Sequence, residues 1–307
     1  MQEGNQTYVK EFIFHGITVN GGAQSILFIL LLVTYTLTLT ANLSIIMLVW
    51  SNASLHKPMY IFLGNLSFVE IWYTTSTVPK MLSGLLSRIN SISFKGCITQ
   101  FYFFFGSGAT EHFLLSFMGY DRYLAICHPL HYNVLMSTKK CWFLSAFSWI
   151  GAFLWTLFPV IVISKLPFCG PNKINHFLCD PGPLMELSCV RDYSTEVILT
   201  VYIALFVFSN SFFTFISYAF IIRTILKIPS ASGRRKAFST CASHLIVVSI
   251  FFGCIMYMYT RPSGNHPFPL DKVVTVFYTV VTPLLNPVIY TLRNKEVWQV
   301  VKKMIRS

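Results

Sequence analysis

Residues 25–49 read SILFILLLVTYTLTLTANLSIIMLV, a stretch without Asp, Glu, Lys or Arg. A helix needs roughly 20 mainly apolar residues to cross about 30 Å of hydrocarbon, so this stretch can span a membrane. Similar stretches recur along the chain, and each must be helical because lipid offers no partner to an unpaired backbone group. We predict seven spans, at residues 25–49, 58–79, 97–122, 142–163, 197–222, 237–259 and 272–291.

The composition also indicates a membrane protein. Of 307 residues, 54% are hydrophobic and only 11% are charged, whereas a soluble domain usually has about 25% charged residues. The formal net charge of +12 would suggest nucleic-acid binding in a soluble protein, but here the basic residues lie between apolar stretches. Residues 1–307 are therefore expected to form one all-α membrane domain, a seven-transmembrane-helix bundle that is embedded in lipid and binds no nucleic acid.

The basic residues predict the orientation of the bundle. Fourteen of the 23 Lys and Arg residues lie on the side that follows spans one, three, five and seven, which the positive-inside rule places in the cytoplasm. The N-terminus (1–24) and the long loop (164–196) are then extracellular, and the tail (292–307) is cytoplasmic. Asn5 begins a glycosylation sequon on the expected outer side. We expect no cleavable signal peptide, so span one acts as an uncleaved signal.

The third span joins two different environments. Cys97 begins it and Arg122 ends it, roughly 38 Å further along a helix. Five residues between them recur on one helical face: Phe101, Phe104, Phe105, Gly108 and His112. This face either lines an apolar ligand cavity, in which Gly108 leaves room, or packs against neighbouring helices, where small residues are also common.

Five sequence motifs carry a family resemblance. Residues 118–132, MGYDRYLAICHPLHY, resemble the signature of vertebrate odorant receptors, a branch of the rhodopsin-like (class A) G-protein-coupled receptors. Four further motifs resemble the same family, its class II-like members: LHKPMY at 55–60, Ser217-Tyr218, KAFSTCASH at 236–244 and PLLNPVIY at 283–290. The resemblance covers nearly the whole chain.

The resemblance implies a function. The protein would bind small, mostly hydrophobic volatile ligands and activate a stimulatory, olfactory-type G protein that raises cyclic AMP, in the plasma membrane of olfactory cilia. Arg122 would insert against the G protein, and Tyr218 and Tyr290 would move towards Arg122 on activation. The residues implied in coupling and activation are Asp121, Arg122, Tyr123, Tyr218, Asn286, Pro287 and Tyr290. Asp121, adjacent to Arg122, is expected to pair with it until activation.

The resemblance also implies a ligand pocket between spans three, five, six and seven. The residues expected to contact the ligand are Phe104, Phe105, Gly108, Tyr202, Phe206, Phe252, Ile255, Tyr259 and Thr279. Most are apolar, so shape and dispersion would hold the ligand, and Tyr202, Tyr259 or Thr279 would offer a hydrogen bond. Phe252 stands where the family usually has Tyr, which predicts a more apolar pocket floor.

Two acids fall in the middle of predicted spans. Glu70, where the family more often has Asp, and Glu111 occupy a depth at which a charge costs about 2.5–3.5 kcal/mol. Asn42 and Asn286 can supply amide oxygens, and related receptors hold sodium in such a pocket. We expect either a site for Na⁺ or a shared proton, or a single protonated acid hydrogen-bonded to a neighbour. No other cofactor is expected.

Four cysteines are expected on the outer side. Cys97, Cys169, Cys179 and Cys189 allow three disulfide connectivities, and the resemblance implies Cys97–Cys179 and Cys169–Cys189. The other four cysteines are expected to be reduced.

Other functional classes fit the sequence less well. A retinal pump needs a Lys deep in the last span, but Lys272 lies at its edge. A seven-helix transporter or ion channel is disfavoured because no internal repeat is present, and no convergent set of catalytic residues suggests an enzyme. His112 could bind a soft metal beside Glu111, with Met118 or Cys254, although a satisfied interior histidine is the simpler interpretation.

Overall fold

The computed structural model describes residues 9–16, 21–87, 89–169, 172–190, 192–259, 269–292 and 297. Within these ranges, long helices pack side by side and a small three-stranded sheet accompanies them. The elements in chain order are β1 (Glu11–Phe14), α1 (Gly21–Ser51), α2 (Pro58–Thr75), α3 (Val78–Leu86), β2 (Ser91–Ser93), α4 (Phe94–Cys127), α5 (Tyr132–Leu135), α6 (Thr138–Ser164), β3 (Lys173–Ile174), α7 (Pro181–Glu186), α8 (Tyr193–Leu226), α9 (Ala231–Tyr259), α10 (Pro269–Val276) and α11 (Thr282–Leu292). The predicted helical bundle is confirmed, because each predicted span coincides with one or two of these helices.

Length and apolar composition identify several membrane-spanning helices. Among the described residues, four helices are long and apolar enough to cross a membrane: Gly22–Ser51, Thr138–Ser164, Tyr193–Leu226 and Leu270–Tyr290. α9 bends by 46° and is a fifth when its two parts are taken as one span. The second and third spans are more polar, since α2 contains Glu70 and α4 contains four charged residues. The charges in the middle of these two spans point into the bundle, as described below.

Polar caps extend three helices beyond their predicted spans. The Ser93 hydroxyl accepts a hydrogen bond from the backbone N–H of Gly96 at 3.1 Å, so α4 begins before Cys97. Ser137 and Asp192 cap α6 and α8 in the same way. A capping oxygen satisfies an N–H that has no partner within the helix, which stabilises the extra turn.

The second span is broken at Ser76 and Thr77. Pro79 follows as the second residue of α3 and lacks an N–H, so it cannot bond to the carbonyl of Thr75 as a continuous helix would require. The Ser76 hydroxyl donates to the carbonyl oxygen of Tyr73 at 2.7 Å, and the Thr77 hydroxyl donates to that of Thr74 at 3.3 Å. Side-chain donors of this kind make a break tolerable inside lipid.

The seventh span contains a π-helical turn, Phe277–Val281, between α10 and α11. Further along, Pro287 leaves the carbonyl of Pro283 without its usual donor. The Asn42 side-chain amide of α1 donates to that carbonyl oxygen at 3.2 Å. The first and seventh spans are therefore joined where the proline weakens the helix.

The bundle has an apolar exterior and a partly polar interior. The outer face of α8 exposes large side chains such as Leu205 (66%) and Phe212 (68%), whereas Glu70 and Glu111 are only 1% exposed. A water-soluble protein has the opposite distribution. α4 lies at the centre, where it packs against α2, α6 and α8.

The loop between α6 and α8 folds over one end of the bundle. β1 pairs in antiparallel fashion with β2 and in parallel with β3 of this loop, which gives the strand order β2-β1-β3. Lys272 at the start of the seventh span donates to the carbonyl oxygens of His15 and Gly16, both at 3.0 Å, and to Asn175 Oδ1 at 2.9 Å. The segment that follows β1 is thus fixed both to the loop and to the seventh span.

Candidate functional site

An apolar cavity lies inside the bundle, between α4 and the helices around it. About 390 Å³ of space that no atom occupies lies here, a figure that includes space open to the surroundings. The residues that line it are Tyr73, Phe104, Phe105, Gly108, Ala109, His112, Trp155, Ile203, Phe206, Val207, Ile255, Tyr259 and Tyr278. The cavity can hold a small apolar molecule.

Six of the nine residues expected to contact a ligand line this cavity. They are Phe104, Phe105, Gly108, Phe206, Ile255 and Tyr259. At Gly108, a Cβ atom would lie 3.4 Å from a ring carbon of Tyr73. A larger side chain at this position would therefore enter the cavity or press on Tyr73.

The other three lie outside the cavity wall. The Tyr202 ring stacks on Trp155 at 4.8 Å and its hydroxyl donates to the Trp155 carbonyl at 3.0 Å, so Tyr202 faces α6. The Thr279 hydroxyl donates to the carbonyl of Thr275 on its own helix at 2.6 Å. Phe252 packs against the rings of His112 and Phe251 and is fully buried behind them.

Several lining residues escaped the sequence analysis. Tyr73 and Trp155 come from the second and fourth spans, which the family pattern did not include in the pocket. His112, by contrast, belongs to the α4 face that the helical spacing had offered as a cavity wall, and it lines the cavity. Tyr278 lies in the π-helical turn, whose shifted register no simple periodicity predicts.

A chain of polar groups forms the roof of the cavity. The Tyr259 hydroxyl donates to Asp180 Oδ2 at 3.0 Å, and the hydroxyl oxygens of Tyr259 and Tyr278 are also 3.0 Å apart. Because Tyr259 gives its proton to Asp180, Tyr278 donates to Tyr259. Asp180 is 6% exposed, and burial in the loop raises the pKa of its carboxyl to about 6.

Disulfides hold this roof in place. Cys97 at the start of α4 is bonded to Cys179, the neighbour of Asp180, and Cys169 is bonded to Cys189 within the same loop. Gln100 of α4 accepts a hydrogen bond from the Cys179 N–H at 3.0 Å and donates to the Ser76 carbonyl at 3.1 Å. The loop is therefore connected both to α4 and to the break in the second span.

A buried polar site lies among α1, α2, α4 and α11. Asn286 donates a short hydrogen bond to Glu70 Oε1. Among the described residues, four buried oxygens in this region have no hydrogen-bond partner: Asn42 Oδ1, Glu70 Oε2, Glu111 Oε1 and Asn286 Oδ1. Oxygen ligands of this kind suit a hard cation, and an acid that carried a proton could instead donate it to one of them.

The C-terminal end of α4 carries residues that the resemblance implies in coupling. Asp121 is buried and accepts a hydrogen bond from the Tyr132 hydroxyl at 2.7 Å. Asp121 also interacts electrostatically with the adjacent Arg122, and the local pair expected from the sequence stays a prediction. Tyr123 Oη lies 3.0 Å from His128 Nε2.

His244 was missed as a member of this group. His244 is the last residue of the motif at 236–244, and no role for it was expected from the sequence. Tyr218 makes a short hydrogen bond with His244 Nδ1, and the rings of His244 and Tyr290 are 6.1 Å apart. The Tyr290 hydroxyl is buried, and no hydrogen-bond partner for it occurs among the residues that the structure describes.

Two further expectations concern residues that the structure does not describe and a possible metal site at His112. Asn5 and the tail beyond residue 297 lie outside the described residues. In the part of the chain that the structure describes, no three His, Cys, Asp or Glu side chains converge as a metal site would require. His112 uses Nδ1 to bond the Gly108 carbonyl on its own helix at 2.8 Å.

Comparisons with known proteins find similar sequences over nearly the whole chain. A family model described as olfactory receptor matches residues 31–307. Human olfactory receptor 11H6 is 49% identical over 99% of this chain and 92% of its own length. Human olfactory receptor 11H4 is 51% identical over 94% of this chain and 89% of its own length. Mouse olfactory receptor 6B9 is 48% identical over 98% of this chain and 95% of its own length.

Proposed function

Because the chain belongs to the olfactory receptor family, a family of G-protein-coupled receptors and not of enzymes, we propose that it detects small, mostly hydrophobic volatile molecules in the cavity around Gly108. Ligand binding would activate a stimulatory G protein of the olfactory type and raise cyclic AMP. The observation that carries this proposal is that one helix, α4, contains both the cavity wall and Arg122. Gly108 and Arg122 are separated by 14 residues, roughly 21 Å along the axis.

The lining of the cavity supports the proposed ligand class. Aromatic and aliphatic side chains provide most of the wall, so binding would rest on shape and dispersion with few polar contacts. No Asp or Glu is among the described residues that line the cavity, and the Asp180 carboxylate in the roof accepts a hydrogen bond from Tyr259. A positively charged amine would find no counter-ion there.

The orientation follows from charge and chemistry. We infer that the N-terminus is extracellular and the C-terminus cytoplasmic, because 14 of the 23 basic residues lie on the proposed inner side. Both disulfides lie in or next to the loop that pairs with β1, and disulfides persist in oxidising, extracellular surroundings. The protein spans the membrane several times, and olfactory cilia are its proposed location.

The buried site at Glu70 and Glu111 would regulate activation. We propose that it holds a sodium ion or a shared proton, with Asn42 and Asn286 supplying amide oxygens. The four buried oxygens without a partner support this proposal. A bound cation would offset the negative charge of the acids and would restrain the helices that carry them.

The receptor function can be tested by filling the cavity. Cells that express the chain with an olfactory-type stimulatory G protein would be exposed to a panel of volatile molecules while cyclic AMP is measured. We expect Gly108→Leu to lower the response by at least roughly tenfold, because the new side chain occupies ligand space and presses on Tyr73.

Gly253→Leu is the matched control, since a Cβ at Gly253 meets no atom within 4 Å and the residue is exposed on α9. It should respond as the unmodified receptor does. Equal responses of Gly108→Leu and Gly253→Leu at equal surface expression would contradict the assignment of the cavity. A transporter or channel would instead move substrate or ions without any G protein.

A further inference from the structure

In the part of the chain that the structure describes, one buried polar group in the cavity wall has no hydrogen-bond partner. His112 lines the cavity and is 4% exposed. Its Nδ1 lies 2.8 Å from the Gly108 carbonyl oxygen, while its Nε2 is buried without a hydrogen-bond partner. A buried polar atom without a partner loses the hydrogen bond that water would have made, and this loss is unfavourable.

The hydrogen bond to Gly108 determines which ring nitrogen of His112 carries the proton. A carbonyl oxygen can only accept a hydrogen bond, so Nδ1 must carry the proton. In the neutral ring, Nε2 is then a bare acceptor. A ligand can satisfy Nε2 only by donating a hydrogen bond to it. An alcohol or phenol has the O–H group that does so, and a ketone, ester or ether does not.

The described side chains around His112 offer no hydrogen-bond donor to Nε2. The rings of Phe206, Phe251 and Phe252 lie 4.7–5.5 Å from the imidazole and offer no hydroxyl or amide. The hydroxyls of Tyr259 and Tyr278 are joined to each other and to Asp180 in the roof. The aromatic rings hold the imidazole in place, and they keep its free nitrogen in an apolar setting where a hydrogen bond is strong.

We propose that His112 is a specificity-determining residue that selects apolar ligands carrying a hydroxyl group, whose O–H donates to Nε2. This inference rests on the proposed receptor function and names the ligand class of the same cavity. An alcohol gains the hydrogen bond and relieves the unpaired nitrogen. A ketone of the same skeleton fills the same space but leaves Nε2 without a donor.

The test uses matched probes. Each linear or cyclic hydrocarbon skeleton would be supplied as its alcohol, its ketone and its methyl ether, and cyclic AMP would be measured in cells that express the full chain. For the skeletons that fit, the unmodified receptor should respond to the alcohol at a concentration roughly tenfold lower than to the ketone or ether. In His112→Phe, which keeps an aromatic ring but has no acceptor, this preference should disappear while the ketone response remains.

Two further variants separate recognition from folding. His112→Gln retains an acceptor oxygen and should keep a response to the alcohol. Tyr202→Phe removes a hydroxyl that bonds Trp155 outside the cavity wall, and it should keep the full preference for alcohols. Surface staining and the retained ketone response would show that His112→Phe is folded.

The possible results distinguish a failure of the proposed role of His112 from a failure of the proposed receptor function. If the unmodified receptor responds to volatile molecules but ranks alcohols no higher than ketones, or if the preference survives in His112→Phe, the role of His112 is overturned and the receptor function stands. If the surface-expressed receptor responds to no probe of any class, the proposed function fails and this inference fails with it.

Discussion

Asp180 illustrates how a single buried group can make the roof of the cavity sensitive to pH. Its carboxyl accepts a proton more readily than in the unfolded chain, because burial raises its pKa from 3.8 to about 6. Between these values the folded receptor binds more protons than the unfolded chain, so the Asp180 contribution to the free energy of unfolding falls as pH rises. His176 in the same loop acts in the opposite direction, since burial lowers its pKa to about 3.

Comparison with Asp180→Asn isolates the contribution of Asp180. The His176 contribution is common to both proteins and cancels in the difference between them. We expect the variant to gain stability relative to the unmodified receptor as pH rises from 4 to 7, by roughly 3 kcal/mol at most. Thermal unfolding of both purified proteins across this range measures the difference. A difference that does not change with pH would show that Asp180 is not buried as described.

The sequence was sufficient to predict some of the residues that line the cavity and not others. The helical spacing of Phe104, Phe105 and Gly108 predicted a common face, and that face lines the cavity. Tyr202 lies at a position that the family pattern assigns to the pocket, yet it stacks on Trp155. Spacing predicts which side of a helix a residue occupies, but the direction of a side chain depends on the neighbours that are available to pack against it.

At the scale of elements, α4 combines the cavity wall, a buried acid and the inner Arg122. The periodic apolar stretches predicted which helices exist. The break at Ser76 and Thr77 and the π-helical turn at Phe277–Val281 were not predicted, because both depend on carbonyl groups finding side-chain or shifted backbone donors. Tyr73, just before the break, and Tyr278, within the π-helical turn, both line the cavity.

The contact between α2 and α4 at Glu70 and Glu111 leads to a prediction about sodium. If a sodium ion restrains these helices, replacing Na⁺ in the medium by choline should raise basal cyclic AMP in the unmodified receptor. Glu111→Gln removes one charged ligand, so its basal signal should become independent of Na⁺. The exposed residue Glu186 provides a matched control, and Glu186→Gln should retain the dependence on Na⁺.

Two results would argue against a bound sodium ion or in favour of a shared proton. A basal signal of the unmodified receptor that does not depend on Na⁺ would argue against a bound ion. A pH-dependent signal that Glu111→Gln abolishes would then favour the shared proton.

At the scale of the whole molecule, the bundle connects two ends with different chemistry. At one end, disulfides, a short sheet and the Lys272 contacts hold the loop over the cavity. At the other end, Tyr132 donates a hydrogen bond to Asp121 of α4, and Tyr218 and His244 are hydrogen-bonded to each other. A ligand between these ends can alter the packing of α4, α8 and α9, and the inner polar contacts would then respond.

The overall architecture was more predictable than the site. Seven apolar stretches and the distribution of Lys and Arg are sufficient for a helical bundle, because lipid leaves the backbone few alternatives. The pairing of β1 with β3 and the Asp180–Tyr259 contact join residues that are distant in sequence. Such contacts depend on how the loop folds, which the sequence pattern alone does not specify.

The most direct test of the link between the two ends is the cyclic AMP response of Arg122→Ala to a volatile molecule that activates the unmodified receptor, measured at equal surface expression. The exposed basic residue Arg223 on the last turn of α8 supplies the control variant Arg223→Ala. The account predicts that Arg122→Ala loses the response, because the cavity is intact but the inner end cannot engage the G protein, while Arg223→Ala keeps most of it. A full response in Arg122→Ala would contradict the account.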